Sequence, residues 1–260
     1  MDRDGPADMK LSVIIPVHQE REAIGPTVEG LERTLVDASI PHEILVVDDH
    51  SLDDTTTVLD ELSRRIPTVR WIRNEAPAGY GYAVRAGLDA YTGDAVCIVM
   101  ADASDDPNDV VAYYRKLEEG YECAFGSRFT SGARVMNYPW PKLLLNRLAN
   151  VIIRVLFGSR FNDWTNAFKC FRREVIDGVR PILSCHFNLT VELPLKAVVR
   201  GYSYAIVPIQ WRGRVTGESK FRIKEMGSRY VFVVLYVLLE KWLARGDYSR
   251  ARAEGRLRSD

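Results

Sequence analysis

Residues 96–107 constrain this chain more than any other stretch. A run of β-forming residues, Val96-Cys97-Ile98-Val99-Met100, ends at Ala101, and Asp102, Asp105 and Asp106 follow before Pro107. Proline is tolerated in the first turn of a helix, where its missing N–H has no intrahelical partner, so a helix is expected to follow. A buried strand of this kind delivers its acids to the carboxyl edge of a sheet, where open α/β folds bind ligands. Clustered carboxylate oxygens there suit a hard cation, Mg²⁺ or Mn²⁺, carrying a diphosphate. The same residues also spell an acidic helix cap, with Asp105 or Asp106 opening the next helix and no metal present. Both readings stand on this stretch alone.

The surrounding pattern supplies a frame. Short apolar runs at 11–16, 43–47, 69–72 and 122–127 alternate with helical periodicity over 21–38, 55–65, 79–91 and 109–119. Such alternation predicts an α/β, Rossmann-like, doubly wound and mostly parallel sheet with right-handed crossovers. Later residues are less regular. An amphipathic helix is expected over 139–157, a strand or loop over 163–173, a helix over 188–200, a strand over 204–211 and a last helix over 221–244. We read 1–9 as a disordered N-terminus and 10–225 as one continuous domain with a regular half, 10–128, that resembles a nucleotide-binding unit. Residues 226–260 are read as an amphipathic helix and basic tail.

Composition narrows the class. Lys plus Arg and Asp plus Glu both number 35, so net charge singles out no partner, and no nucleic acid is expected. Cys97, Cys123, Cys170 and Cys185 are widely spaced without a CxxC pair, which fits buried, inert thiols in a reducing compartment. The first nine residues are polar and acidic, unlike a secretory signal. No apolar run reaches the ~18–20 residues that span a bilayer. A protein on the cytoplasmic side is the expectation.

Three predicted strand ends carry polar clusters: Pro16-Val17-His18-Gln19-Glu20, Asp48-Asp49-His50-Ser51, and the acids from Asp102. In a parallel sheet these ends share one edge, so the clusters converge. Asp48 there could accept hydrogen bonds from a base or ribose. Asp53 and Asp54, just ahead of Thr55, read as helix N-terminal acids. Asn74, Gly79, Gly81, Ala83, Arg85 and Gly87 make a glycine-spaced entry into a helix, whose N-terminus favours anions. Arg85 either reaches a phosphate or is a solvated surface arginine.

At this point the motifs carry a resemblance. SVIIPxxxE, VVDDxSxD, NxxxxGxGxAxRAG and the strand-end acids, in this order, resemble family 2 glycosyltransferases of the GT-A fold. Gly126-Ser127-Arg128, the segment from Asp163 to Lys169 (DWTNAFK), Glu192 and the segment from Arg214 to Lys220 (RVTGESK) are similar to the branch that makes polyprenyl- and dolichyl-phosphate hexoses. The resemblance covers about residues 10–225. It implies inverting transfer of a hexose, mannose or glucose, from a nucleotide diphosphate sugar to a polyprenyl or dolichyl phosphate, with residues 129–225 as the acceptor half. By matching position, Pro16, Glu20, Asp48, Asp49 and Ser51 would hold the nucleoside, with Arg85 also on the donor side. Asp102 and Asp105 would be metal ligands, and Arg128 would bind the acceptor phosphate. Lys142 and Asn146 stand where the family usually has Arg and Ser near that phosphate, and Arg214 and Lys220 would complete a cationic cradle. The family's Asp-Ala-Asp is Met100-Ala101-Asp102 here, and Ser104 replaces a common Gln. His18-Gln19 replaces Tyr-Asn, and Asn166-Ala167 replaces Ser-Gly. The missing acid also admits a catalytically weak nucleotide-sugar-binding subunit, and a glycan acceptor is a second alternative.

A phosphate monoester has a second pKa of about 6, so the acceptor is largely a dianion at neutral pH and needs positioning more than a general base. None of the four histidines is required for that chemistry. The segment from Pro139 to Phe157, with Arg147 and Arg154 interspersed, and the run from Tyr230 to Leu239 fit interfacial helices of a peripheral membrane protein. Arg245, Arg250, Arg252, Arg256 and Arg258 would then face anionic lipid. Packing on the domain core or on another subunit is the competing reading of both segments.

Overall fold

The computed structural model describes residues 9–213, 223–244 and 246–249. The chain begins β1 (Leu11–Val17), α1 (Arg21–Asp37), β2 (His42–Asp48), α2 (Thr55–Arg65), β3 (Val69–Arg73), α3 (Tyr80–Ala90), β4 (Ala95–Ile98), α4 (Pro107–Glu118) and β5 (Cys123–Ser127). It continues through β6 (Arg134–Met136), α5 (Trp140–Phe157), β7 (Lys169–Arg172), α6 (Arg173–Gly178), α7 (Leu189–Val199), β8 (Tyr204–Pro208), β9 (Gln210–Arg212) and α8 (Ile223–Leu243).

Seven strands form one sheet in the order β3-β2-β1-β4-β7-β5-β8, and β6 pairs with β9 in a small second sheet. The first four strands are parallel, so their carboxyl ends share an edge. The strand order reverses between β1 and β4, which is where doubly wound folds bind ligands. β7 runs antiparallel to both β4 and β5, making the sheet mixed at its centre.

The apolar runs that spell these strands are buried on both faces. Ile24, Val28, Leu31 and Leu35 of α1 lie on one side with α2 and α4. Ala83, Val84 and Leu88 of α3 lie on the other with α5, α7 and the buried side of α8 (Val237, Leu238). Gly126 is required inside β5, because a Cβ there would meet the Tyr113 hydroxyl at 1.9 Å. Cys97, Cys123 and Cys170 are buried free thiols, and burial pushes Cys97 and Cys123 above the ordinary range.

Several boundaries differ from expectation. The acid-bearing strand stops at Ile98 because the Met100 N–H turns to the Asp105 carboxylate at 3.0 Å and closes a loop. The predicted strand at 204–211 splits at Ile209 into β8 and β9, which serve different sheets. β6 and α6, three and six residues long, are too short to register as periodicity. Among the described residues no helix is long and apolar enough to cross a membrane. The expectations for residues 1–8, Arg245 and the tail from Arg250 lie outside the described residues.

Candidate active site

Backbone strain marks the edge first. Gln19, His50 and Ala103 follow β1, β2 and β4 and adopt left-handed φ of 53°, 59° and 55°. For a residue with a Cβ this conformation costs roughly 1–2 kcal/mol, and such strain gathers at ligand sites. Each turn folds its loop back over the strand ends.

Asp48 closes β2 with its side chain fully buried. Its Oδ1 accepts from the Ser51 N–H at 3.2 Å, while Oδ2 is sealed from solvent with no hydrogen-bond partner. Arg73 Nε, at the matching position of β3, lies 3.9 Å away. An acceptor this buried and unmatched suits a ligand N–H or O–H. The Asp49 carboxylate accepts from Asn74 Nδ2 at 2.7 Å and the Gly79 N–H at 2.9 Å, so it ties β2 to the entry of α3. Ser51 Oγ accepts from the Gln19 N–H at 3.0 Å, and Glu20 starts α1 with its carbonyl, joining the first two loops. Pro16 is buried within β1 beside Val47. Gly81 has no room for a side chain, since a Cβ would lie 2.5 Å from the Cys185 backbone. Arg85 rests with Nη1 3.9 Å from Cys185 Sγ.

The acid loop resolves its two readings residue by residue. Asp106 is the helix cap, accepting from the Asn108 N–H at 2.9 Å ahead of Pro107. Asp105 is no cap. Burial, with the neighbouring Asp102 charge, pushes its pKa up to about 7 against the Met100 hydrogen bond. Asp109 is raised to about 6, first by burial, and accepts from the Gln210 N–H at 2.9 Å. Together with Arg212 N–H to Ser104 O at 3.2 Å, this stitches β9 to the acid loop. Half-buried Asp102 accepts from the Ser104 N–H at 3.2 Å.

Among the described residues no cluster of three or more His, Cys, Asp and Glu side chains is gathered for a metal. Asp102 and Asp105 are a pair of hard oxygen donors, which suits Mg²⁺ or Mn²⁺ that keeps waters and takes other ligands from a substrate diphosphate. The strain between them is measurable. An acid whose folded pKa lies above its unfolded value stabilises the fold only while protonated, so the benefit disappears as pH rises through about 7. Asp105→Asn retains an acceptor for Met100 without the charge. It is expected to raise stability at pH 8 by about 2–4 kcal/mol, with the gain vanishing near pH 4, in thermal unfolding across that range. Unchanged stability at pH 8 would show that the carboxylate is not under strain.

Arg128 ends β5 almost buried and forms a bidentate pair with fully buried Asp163, Nε to Oδ2 at 2.8 Å and Nη2 to Oδ1 at 2.7 Å. The Arg128 N–H also donates to Asp163 at 2.9 Å. Burial opposes the guanidinium charge, but Asp163 outweighs it and holds the pKa above its ordinary value. Rings of Phe129, Tyr138 and Trp211 stand 5.4, 5.6 and 5.7 Å from the guanidinium carbon. The Arg128 charge is therefore already matched by Asp163. Lys142 is exposed on α5. Asn146 differs from expectation, its amide donating to Thr165 Oγ1 at 2.8 Å and accepting from Asn150 Nδ2 at 2.7 Å. Arg214 and Lys220 lie outside the described residues.

Lys169 and Glu192, which the sequence offered only as parts of the resemblance, prove to be buried and to hold the site's supporting loops. Lys169 is buried and donates to the carbonyls of Trp164, Asn166 and Thr190, fixing the 163–166 loop against α7. Burial lowers its pKa to about 7 despite the Asp163 charge. Glu192 is wholly internal, accepting from the N–H groups of Leu183 and Ser184 and pairing with Lys196 at 2.6 Å. Nothing in residue type alone separates these buried charges from surface ones.

Comparison with known proteins accords with this geometry. The family model described as glycosyl transferase family 2 matches residues 12–180. Polyprenol monophosphomannose synthase of Mycolicibacterium smegmatis is 33% identical over 247 residues, 92% of this chain and 89% of that protein. Dolichol-phosphate mannosyltransferase of Pyrococcus furiosus is 31% identical over 83% of this chain, which spans 60% of that longer protein. Among solved structures, glucosyl-3-phosphoglycerate synthase of Mycobacterium tuberculosis, in complex with Mn²⁺, UDP and glucosyl-3-phosphoglycerate, shares the fold with a TM-score of 0.66 at 20% identity. That match covers 90% of this chain and 80% of the other, and the same enzyme was also solved with Mg²⁺ and UDP.

Proposed function

Because the chain belongs to glycosyl transferase family 2, with the GT-A fold, we propose that it moves a hexose from a nucleotide diphosphate sugar to a polyprenyl or dolichyl phosphate, inverting the anomeric carbon. The observation that carries this reading is the match to two lipid-phosphate mannosyltransferases along most of the chain. The geometry supports it. Asp48 Oδ2 accepts from the nucleoside, and the Gln19, His50 and Ala103 turns shape the floor beneath the diphosphate. Asp102 and Asp105 would hold Mg²⁺ or Mn²⁺, which supplies Lewis-acid stabilisation of the leaving nucleoside diphosphate. Arg128 donates N–H groups to the acceptor phosphate, whose oxygen attacks the anomeric carbon while the nucleoside diphosphate departs. With Arg128 neutralised by Asp163, the net positive charge needed by a dianion falls to Lys142, Arg214 and Lys220.

The reading includes peripheral attachment to the cytoplasmic face of a membrane. α5 exposes Trp140, Leu144, Leu148, Val151 and Val155 along one stripe, and α8 exposes Val231, Phe232, Leu235, Leu239 and Trp242. Apolar faces of this size mark interaction sites, and cations beside the α5 stripe (Lys142, Arg147, Arg154) suit headgroups.

The test is transfer from radiolabelled UDP- and GDP-sugars to polyprenyl phosphate in detergent, with Mg²⁺, Mn²⁺ or EDTA. A labelled product that extracts into organic solvent and is lost with EDTA is expected. Donor binding or hydrolysis without lipid product would overturn the acceptor assignment in favour of a glycan acceptor or a silent subunit.

A further inference from the structure

Asn146, which the resemblance places near the acceptor phosphate, donates an amide N–H to the Thr165 hydroxyl and accepts from Asn150. Asn146 and Asn150 sit one turn apart on the inner face of α5, against the 163–166 loop. The Trp164 N–H donates to Asn150 Oδ1 at 2.6 Å, and a backbone N–H can only donate, so the orientation of the Asn150 amide is determined. Its Nδ2 therefore faces away from Trp164 and donates to Asn146 Oδ1 at 2.7 Å. That in turn directs Asn146 Nδ2 to Thr165 Oγ1 at 2.8 Å, with Asn150 Nδ2 adding a second donor at 3.2 Å.

The consequence falls on Thr165. A hydroxyl has two acceptor lone pairs and one proton. The Asn146 N–H takes one lone pair of Oγ1, and Asn150 Nδ2, which also donates to the Asn146 carbonyl and Oδ1 at 2.9 and 2.7 Å, approaches it at 3.2 Å. Neither nitrogen can accept, so the hydroxyl proton is left for another acceptor, and among the described residues no hydrogen bond donated by it is found. Thr165 is partly exposed. Its neighbours bind the Arg128 segment from both sides: Asp163 grips the guanidinium, and Asn166 Nδ2 donates to Gly126 O at 3.1 Å. An outward O–H donor thus stands beside a guanidinium whose charge is matched.

We propose that Thr165 is a ligand of the acceptor phosphate, its hydroxyl turned outward as an obligate donor by the Asn150–Asn146 amide relay. The proposal rests on the acceptor reading above. It means that Asn146 is a positioning residue here, and that the hydroxyl donor comes from the loop after Asp163. Phosphate oxygens accept strongly from such donors, and a hydrogen bond to a charged group carries more than one between neutral groups.

The experiment compares Thr165→Val and Thr165→Ser with the unmodified protein, using a short-chain polyprenyl phosphate in detergent and separate titration of nucleoside diphosphate. Thr165→Val is expected to raise the KM for the lipid phosphate about tenfold or more, leaving nucleoside diphosphate affinity unchanged. Thr165→Ser should return the KM to within about threefold, because it restores the donor. Thermal unfolding of both variants identifies any fold loss, which Thr165→Ser should lack. If Thr165→Val is poorly folded, Thr165→Ala, which removes the hydroxyl without pressing a methyl against the Asn146 and Asn150 amides, provides the second reading, with the same rise in acceptor KM expected. An unchanged acceptor KM in a folded Thr165→Val protein, or equal losses for donor and acceptor, would overturn the assignment. No lipid product from the unmodified protein would instead sink the acceptor reading itself.

Discussion

Asp102→Ala is expected to reduce glycosyl transfer by at least about 10²–10³-fold, the range measured when one preorganised electrostatic contact to a developing charge is removed. The fold should remain. Asp102 is half-buried in a loop and accepts from the Ser104 N–H, and a typical point substitution costs about 1 kcal/mol. Its charge also raises the Asp105 pKa, so the variant should ionise Asp105 at lower pH than the unmodified protein does. The check is turnover across a Mn²⁺ titration beside circular dichroism and thermal unfolding. Near-normal turnover in a folded variant would remove Asp102 from the metal assignment and leave Asp105 to explain any metal dependence.

Arg128→Ala should damage both stability and acceptor use, and the two effects can be separated. Removing the guanidinium leaves Asp163 buried with only the Arg128 backbone N–H on Oδ2, and breaking such a pair costs about 3–5 kcal/mol. Arg128→Lys does not repair this, because an ammonium cannot reproduce the two-pronged geometry. Combining Arg128→Leu with Asp163→Asn removes the uncompensated charge, so much of the lost stability should return. The acceptor KM should stay high in that double variant, with the donor requirement little changed. A donor requirement that rises more than the acceptor requirement would reverse the placement of the two substrates.

How much was legible varies by element. The alternation of apolar runs and helical periodicity placed the first nine elements within about two residues, because β1, β2, β4 and β5 are buried on both faces and each helix on one. It failed at β6 and α6, which are shorter than either period. The direction of β7 was also out of reach, since antiparallel insertion beside β4 depends on where the chain returns. Asp48 and Asp102 were legible as candidates because acids at parallel strand ends have few structural reasons to recur. Asp49 looked identical to Asp48 in the sequence, yet one is consumed by Asn74 and Gly79 while the other keeps an unmatched oxygen.

The sequence by itself determined the sheet, the shared edge of its strand ends and the family. Each follows from local periodicity and from motifs that need only neighbouring residues. Only the tertiary structure decided which polar groups are left for a ligand. Hydrogen-bonding capacity is spent through space, so the roles of Asp105, Arg128, Asn146 and Thr165 depend on partners 5 to 35 residues away. Met100 takes Asp105, Asp163 takes Arg128 and Thr165 takes Asn146.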